Sequence, residues 1–157
     1  MAVMKMEAVD PAMALPLAAL HLACFEPLPE TPWSEMAMLA VLRMPGVHGV
    51  VASLDDGVPA GFMLGREMVD EAEILTMCVM PRFRRDGLAQ ALLQWFFDQV
   101  PNATRIVLEV VVNNEPAISL YESAGFRRVG LRLDYYGHGE TRTNALIMAR
   151  ARHGRGY

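Results

Sequence analysis

Cysteine is scarce: the 157 residues hold only Cys24 and Cys78, far apart and at no metal-ligand spacing. This pattern fits a reduced, cytoplasmic protein in which both serve as small apolar side chains. The four histidines, His21, His48, His138 and His153, are scattered, and none pairs at i and i+4 as on a zinc-binding helix. No metal is expected. Basic blocks are missing too, and the formal net charge is −4. Nucleic acid is therefore not an expected partner, and the charge is too small to argue for a cationic substrate. Residues 11–25, PAMALPLAALHLACF, lack Asp, Glu, Lys and Arg. They contain Pro11, Pro16 and His21, and Glu7 and Asp10 lie upstream where a signal peptide carries positive charge. The run is too short to span a bilayer as a helix, so we read a core helix, most of it buried, and expect no membrane partner.

What remains is an ordinary globular balance, 53% hydrophobic and 20% charged, with no internal repeat or low-complexity linker. One domain over 1–157 is expected. Residues 1–9 alternate loosely and read as a first strand. A helix follows to Phe25, and the proline-rich segment 26–32 is a loop. Ser34 is a candidate N-cap for a helix over 35–43. Residues 47–54 and 58–68 form a hairpin about the Asp-Gly turn. Residues 69–73 turn again, and ILTMCVM (74–80) reads as a strand buried on both faces. Helix 88–100 has Leu88, Leu92, Trp95, Phe96 and Gln99 near one face. Strand 105–112 follows, then a short helix within 113–125, capped by Asn114 and ended by Gly125. Strands 126–136 and 143–151 close the chain. The order β-α-α-β-β-β-α-β-α-β-β predicts a mixed α/β fold with one central twisted mixed sheet flanked by helices.

Two places carry chemistry. In MCVMPRFRRDGLAQALL a buried strand runs through a basic loop with one glycine into a helix. The free N–H groups and dipole of a helix start favour phosphate. Gly87 permits close approach, Ala89 leaves the helix start uncluttered, and Arg82, Arg84 and Arg85 add positive charge. The lysine of a Walker loop is missing, as is GxGxxG, so nucleotide triphosphate hydrolysis is disfavoured. In IVLEVVV (106–112) a lone carboxylate, Glu109, interrupts an apolar strand. Burying it unpaired would be costly. Either it is a structural carboxylate paired with an arginine such as Arg105, or it is a functional group.

RRDGLA fits [RQ]-x-x-G-x-[GA], and N-x-x-x-x-x-x-Y-x-x-x-G-F follows from Asn114 through Tyr121 to Gly125 and Phe126. In this strand–helix–strand–helix–strand order the two motifs resemble the acetyl-CoA-binding half of the GNAT acyltransferase superfamily. LEVVVNNEPAISLYESAGFRRVGLRLDYY…NALIMA and PWSE (32–35) are most similar to the bacterial ribosomal-protein-alanine N-acetyltransferases. The resemblance covers most of the chain and implies the GNAT fold, with acetyl-CoA as cosubstrate and a protein N-terminal amine as acceptor.

Acetyl transfer to an amine needs a neutral nucleophile, a stabilised oxyanion and a thiolate that is protonated or hydrogen-bonded as it leaves. The resemblance makes Glu109 the general base, acting through a water. Desolvation raises a carboxyl pKa toward neutrality, which suits that task. It makes Tyr121 the general acid near the thioester sulfur; otherwise Tyr121 packs on a helix face with its hydroxyl toward solvent. A phenol is a weaker acid than a thiol, so hydrogen bonding to the thiolate can outweigh full proton transfer. Met77, Cys78 and Val79 match backbone positions that grip the pantetheine arm, with side chains in the core. Arg84, Arg85, Asp86, Gly87, Leu88, Ala89 and Gln90 match the diphosphate loop. Asn114 matches a cofactor contact and is equally an N-cap. Trp33, Tyr135 and Tyr136 align with segments that frame the acceptor, or else simply pack.

Three departures bear on these assignments. Asp86 brings negative charge to the diphosphate loop, and Ala89 replaces the commoner glycine. TRTN (141–144) stands where an acidic pair is usual, which bears on acceptor choice. The alternatives are acetylation of a small-molecule amine or a lysine side chain, and a non-catalytic acyl-CoA-binding sensor, which would need neither Glu109 nor Tyr121. Either a monomer or a dimer is compatible with the sequence.

Overall fold

Strand β3 (Pro59–Glu67) is the most continuously buried segment and sits near the middle of the sheet. The computed structural model describes residues 4–25, 32–54, 57–84, 87–136 and 143–152. The other strands are β1 (Lys5–Ala8), β2 (Val47–Ser53), β4 (Glu71–Val79), β5 (Arg105–Val111), β6 (Arg127–Tyr136) and β7 (Thr143–Ala151). The helices are α1 (Ala14–Phe25), α2 (Glu35–Leu42), α3 (Leu88–Gln99) and α4 (Glu115–Ser123). The element order is the expected one, and the seven strands form one sheet in the order β1-β2-β3-β4-β5-β7-β6. Every neighbouring pair is antiparallel except β4 with β5. That pair needs a crossover, which α3 supplies.

Period-2 alternation divides the core between the two faces of the sheet. One face carries Val50, Met63, Ile74, Ile106, Leu108, Val110 and Met148 against Leu92, Phe96 and Phe97 of α3 and Ile118 and Tyr121 of α4. The other carries Phe62, Leu64 and Cys78 against Leu17 and Cys24 of α1 and Met38 of α2. Caps fix the helix starts as expected. Ser34 Oγ accepts from Ala37 N at 3.1 Å, and Asn114 Oδ1 accepts from Ala117 N at 3.3 Å.

Two expectations need correction. Helix α1 is not mostly buried. Ala14, Leu17, Ala18, His21 and Cys24 form a buried stripe, while Leu15 and Leu22 are exposed. A run without charges can still be one-faced when a single sheet face is all it packs on. Strand β4 starts at Glu71, not Ile74, and it alternates buried with half-buried residues. The turn is confined to Val69 and Asp70, closed by Met68 N–H to Glu71 O at 2.7 Å. The pairing of Arg66 with Glu73 and Glu67 with Ala72 extends the hairpin through the charged residues.

Strand β4 also carries a bulge. Leu64 pairs with Thr76 and Gly65 with Ile74, leaving Leu75 as the extra residue. The phase of alternation changes there. Ile74 and Met77 belong to the α3 side, Leu75 and Cys78 to the α1–α2 side. Such bulges re-aim side chains beside functional sites.

Candidate active site

The parallel pair β4–β5 is registered only from Glu71–Arg105 to Glu73–Val107. Both strands continue, to Val79 and Val111, still paired on their outer edges with β3 and β7. Their inner edges diverge into a gap that opens toward the C-terminal end of β4. The backbone N–H and C=O groups along that edge of β4 are not taken up by β5, and they suit a ligand that carries amides. Met77, Cys78 and Val79 all lie on this stretch. Cys78 is buried, Met77 and Val79 half-buried. Burial pushes the Cys78 thiol up, reinforced by its hydrogen bond with Cys24, so it is no nucleophile at neutral pH.

Past the open end of the gap, the chain turns into α3. Arg84 does not reach outward along its full length: its Nε donates to Val79 O at 3.2 Å and ties the loop to the end of β4. Arg82 lies over the Phe83 ring, 4.6 Å from its centroid. Arg85 and Asp86 fall outside the described residues. Gly87 is left-handed at φ 81° and caps α3 without a side chain. A Cβ there would meet no atom within 4 Å. Glycine is thus required by backbone conformation, and the space above the helix start stays open. Leu88 is buried, Ala89 half-buried and Gln90 exposed, so the first turn presents backbone N–H groups rather than bulk.

Glu109 does not pair with Arg105, which instead lies 3.7 Å from Glu71. It pairs with Arg132 on β6. Nη1 is 3.1 Å from Oε1 and 3.4 Å from Oε2, and the Glu109 side chain is 24% exposed. The pairing with an arginine is thus present, but with Arg132 rather than Arg105, and the carboxylate is half-buried. Because Ile106, Leu108 and Val110 point to the α3 face, Glu109 points to the opposite face. Tyr121 is on the α3–α4 side. It is buried, with its ring edge against Phe126 at 5.7 Å between centroids. The expected pair thus belongs to opposite faces of the sheet.

Trp33 is packed rather than free. It stacks on His21 at 5.1 Å and 22°, and its backbone N–H donates to His21 Nδ1 at 3.2 Å. With Nδ1 accepting, neutral His21 carries its proton on Nε2, which meets Thr76 Oγ1 at 3.1 Å. Burial lowers the His21 pKa to about 4. The backbones of Tyr135 and Tyr136 end β6, and their side chains lie outside the described set. Next to them Asp134 adopts φ 53°, its N–H held by Asn144 Oδ1 at 3.0 Å. Asn144, one of the departures in TRTN, thus fixes the irregular end of β6. A separate groove of about 440 Å³, lined by Val112, Ile118, Leu131 and Leu146 among others, includes none of the expected site residues.

Two residues escaped the sequence reading. Glu73, expected in a turn, lies in β4 opposite Arg66 of β3, and that cross-strand charge pair is its sequence signal. His21 was one of four scattered histidines; its place on the apolar stripe of α1 marked it as buried. No helix among the described residues is long and apolar enough to cross a membrane.

The sequence profile of the acetyltransferase (GNAT) family matches residues 15–126. The [ribosomal protein bS18]-alanine N-acetyltransferase of Escherichia coli (strain K12) is 36% identical over 96 residues. That match covers 60% of this chain and 65% of the relative, just under two thirds of its length. An N-alpha-acetyltransferase of Saccharolobus solfataricus is 37% identical over 124 residues, covering 69% of this chain and 72% of that protein. The crystal structure of the Escherichia coli ribosomal-protein-S18-alanine N-acetyltransferase superposes with a TM-score of 0.85 over 99% of both chains, at 24% identity. That likeness is one of fold.

Proposed function

Since this chain belongs to the GNAT acetyltransferase family, we propose that it moves the acetyl group of acetyl-CoA to a protein N-terminal α-amine. The specific acceptor is the N-terminal alanine of a small-subunit ribosomal protein. The observation that carries the reading is the gap between β4 and β5 beside the open start of α3. An extended amide-bearing arm fits the free edge of β4, and a diphosphate fits the N–H groups of Leu88, Ala89 and Gln90. Met77, Cys78 and Val79 hold the arm by backbone, and Arg84, Gly87 and Asn114 shape its surroundings.

The acceptor nitrogen attacks the thioester carbon, the C–N bond forms and the C–S bond breaks. Glu109 takes a proton from the amine through a water, and Tyr121 hydrogen-bonds or protonates the departing thiolate. Opposite faces suit this division of labour, because attack and departure occur on different sides of the carbonyl carbon. An α-amine has a pKa of about 8 against about 10.4 for lysine, so it is the easier amine to neutralise. Trp33, Tyr135 and Tyr136 border the acceptor. The reading is supported by two relatives, one named a [ribosomal protein bS18]-alanine N-acetyltransferase and the other an N-alpha-acetyltransferase.

The test is an acceptor screen: a peptide beginning Ala-Arg, the same peptide N-blocked with an internal lysine, polyamines and aminoglycosides. Preferential turnover of the free Ala-Arg terminus is expected. Turnover of the blocked peptide or the small amines alone would overturn the acceptor assignment. Acetyl-CoA binding with no turnover of any amine would overturn the catalytic one.

A further inference from the structure

His21 is the strongly polar member of the stripe that α1 buries, between Ala18 and Cys24, and it is only 2% exposed. An apolar residue would fill the same space with no polar group to desolvate. Histidine brings two directed bonds instead, and both are made. Nδ1 accepts from Trp33 N–H at 3.2 Å, and Nε2 lies 3.1 Å from Thr76 Oγ1. The Phe62 ring packs beside it, 6.1 Å away between centroids and tilted by 50°.

Each partner has its own place beside the candidate site. Thr76 is buried and follows Leu75, the extra residue of the β4 bulge. Its partner Leu64 packs on the α1–α2 side, and paired residues share a face, so Thr76 faces α1 together with Leu75. The bulge thus turns two successive residues toward α1 and brings a hydroxyl within reach of the ring. Thr76 directly precedes Met77, Cys78 and Val79, whose backbone borders the gap. Trp33 directly precedes Ser34, the N-cap of α2. Its N–H lies outside that helix and goes to Nδ1, while its indole stacks on the same ring at 5.1 Å and 22°. His21 is held on one side by the strand beside the gap. On the other it holds a residue that borders the proposed acceptor.

We infer that His21 is a positioning residue of the acceptor site, whose two ring nitrogens fix Trp33 to Thr76 and so register the acceptor wall on the strand that holds the donor. The inference rests on the N-acetyltransferase reading above. The bridge needs a neutral imidazole, with Nδ1 accepting and the proton on Nε2. Burial lowers the His21 pKa to about 4, so the ring keeps that form throughout the neutral range. A wall fixed in advance spares the acceptor the cost of ordering it. It touches the acceptor before and during transfer alike. Its contribution is therefore uniform binding, which appears in KM and not in kcat.

The test compares His21→Leu, His21→Gln and Thr76→Val in the full chain. The acceptors are a peptide beginning Ala-Arg and whichever small amine the wild type acetylates. Initial rates give kcat and KM, and calorimetry gives the affinities for acetyl-CoA and for the peptide. His21→Leu keeps apolar bulk and loses both bonds. It should raise the acceptor KM about tenfold, with kcat and acetyl-CoA affinity within about twofold of wild type. Thr76→Val removes the hydroxyl anchor alone and should raise KM about threefold. His21→Gln keeps a donor and an acceptor and should recover part of the loss. A wild-type KM in His21→Leu overturns the inference. So does a fall in kcat and acetyl-CoA affinity that matches the rise in KM, because it marks a merely structural role. If His21→Leu does not fold, an unchanged KM in Thr76→Val overturns it. A wild type that acetylates only small amines overturns the protein-acceptor reading alone, because the variants are then read on the KM of those amines. If no amine is turned over, the catalytic reading falls alone, and an unchanged peptide affinity in the variants overturns the inference.

Discussion

Acidification should unlock the α1 face through His21. The ring bridges the Trp33 backbone and Thr76 in its neutral form, and burial holds its pKa at about 4 against the ordinary 6.5. Protonating Nδ1 would remove the acceptor for Trp33 N–H and place a charge where only 2% of the residue is exposed. The sign follows from which state binds the proton. Between pH 6.5 and about 4 the unfolded chain binds it and the folded chain does not. The stability contributed by neutral His21 is therefore complete above pH 6.5 and is lost as the pH falls toward 4. At about 1.4 kcal/mol per tenfold in proton affinity, the whole depression amounts to about 3 kcal/mol, and about 2 kcal/mol of it is gone by pH 5. His21→Gln keeps a donor and an acceptor but does not titrate. Urea unfolding at pH 7 and pH 5 should show the wild type losing about 2 kcal/mol more than the variant over that interval. All groups other than residue 21 are the same in both proteins and cancel in the comparison. Parallel losses in the two proteins would refute the reasoning.

Other outcomes follow from named contacts. Tyr121→Phe keeps the ring on Phe126 and should cut turnover by about a hundredfold while sparing acetyl-CoA affinity; an unchanged rate would sink the acid assignment. Gly65→Ala drives a methyl group into the Phe96 ring and should cost about 1–3 kcal/mol in thermal unfolding, because a packed core resists added volume. An unaltered Tm would mean that α3 is free to shift. Ser34→Ala removes the Oγ acceptor of Ala37 N and should cost about 1 kcal/mol by the same measurement.

The fold was largely legible because its signals are local. Ser34 and Asn114 announce helix starts, the glycine of the Asp-Gly turn closes the hairpin with φ 77°, and the apolar periods switch between 2 and 3.6 where the elements change. Position in the sheet is not local. The order β5-β7-β6 and the short registration of β4 with β5 depend on strands distant in sequence. Nothing within ILTMCVM or IVLEVVV indicates that β5 pairs with the residues just before ILTMCVM and not with that run itself. The bulge at Leu75 is equally hidden, since it depends on the register of β3. The apolar composition of α1 misled in the other direction, because hydropathy does not say how much of a helix its sheet covers.

The site was legible by motif and obscure by charge. Gly87, Asn114 and Tyr121 stand out by motif and Glu109 as a lone acid in an apolar strand, and Asn114 occupies the cap position expected of it. The partner of Glu109 could not be found that way. Arg105 is the nearer arginine in sequence, yet it falls beside Glu71, while Arg132 reaches Glu109 from the edge strand β6, two strands away. That exchange has a consequence for the chemistry. With Arg105 as its partner, Glu109 would be tied to the closed root of the gap; with Arg132 it is drawn toward β6, on the side away from β4. Glu73, at the last registered pair of β4 with β5, is half-buried, and Arg66 opposite it on β3 turns to Pro45 O instead. A lone acid in an apolar strand drew the eye to Glu109, and an acid in a charged run, Asp70 to Glu73, did not. Only the strand register separates the two, because it turns that run from a solvent-facing turn into the edge of the site.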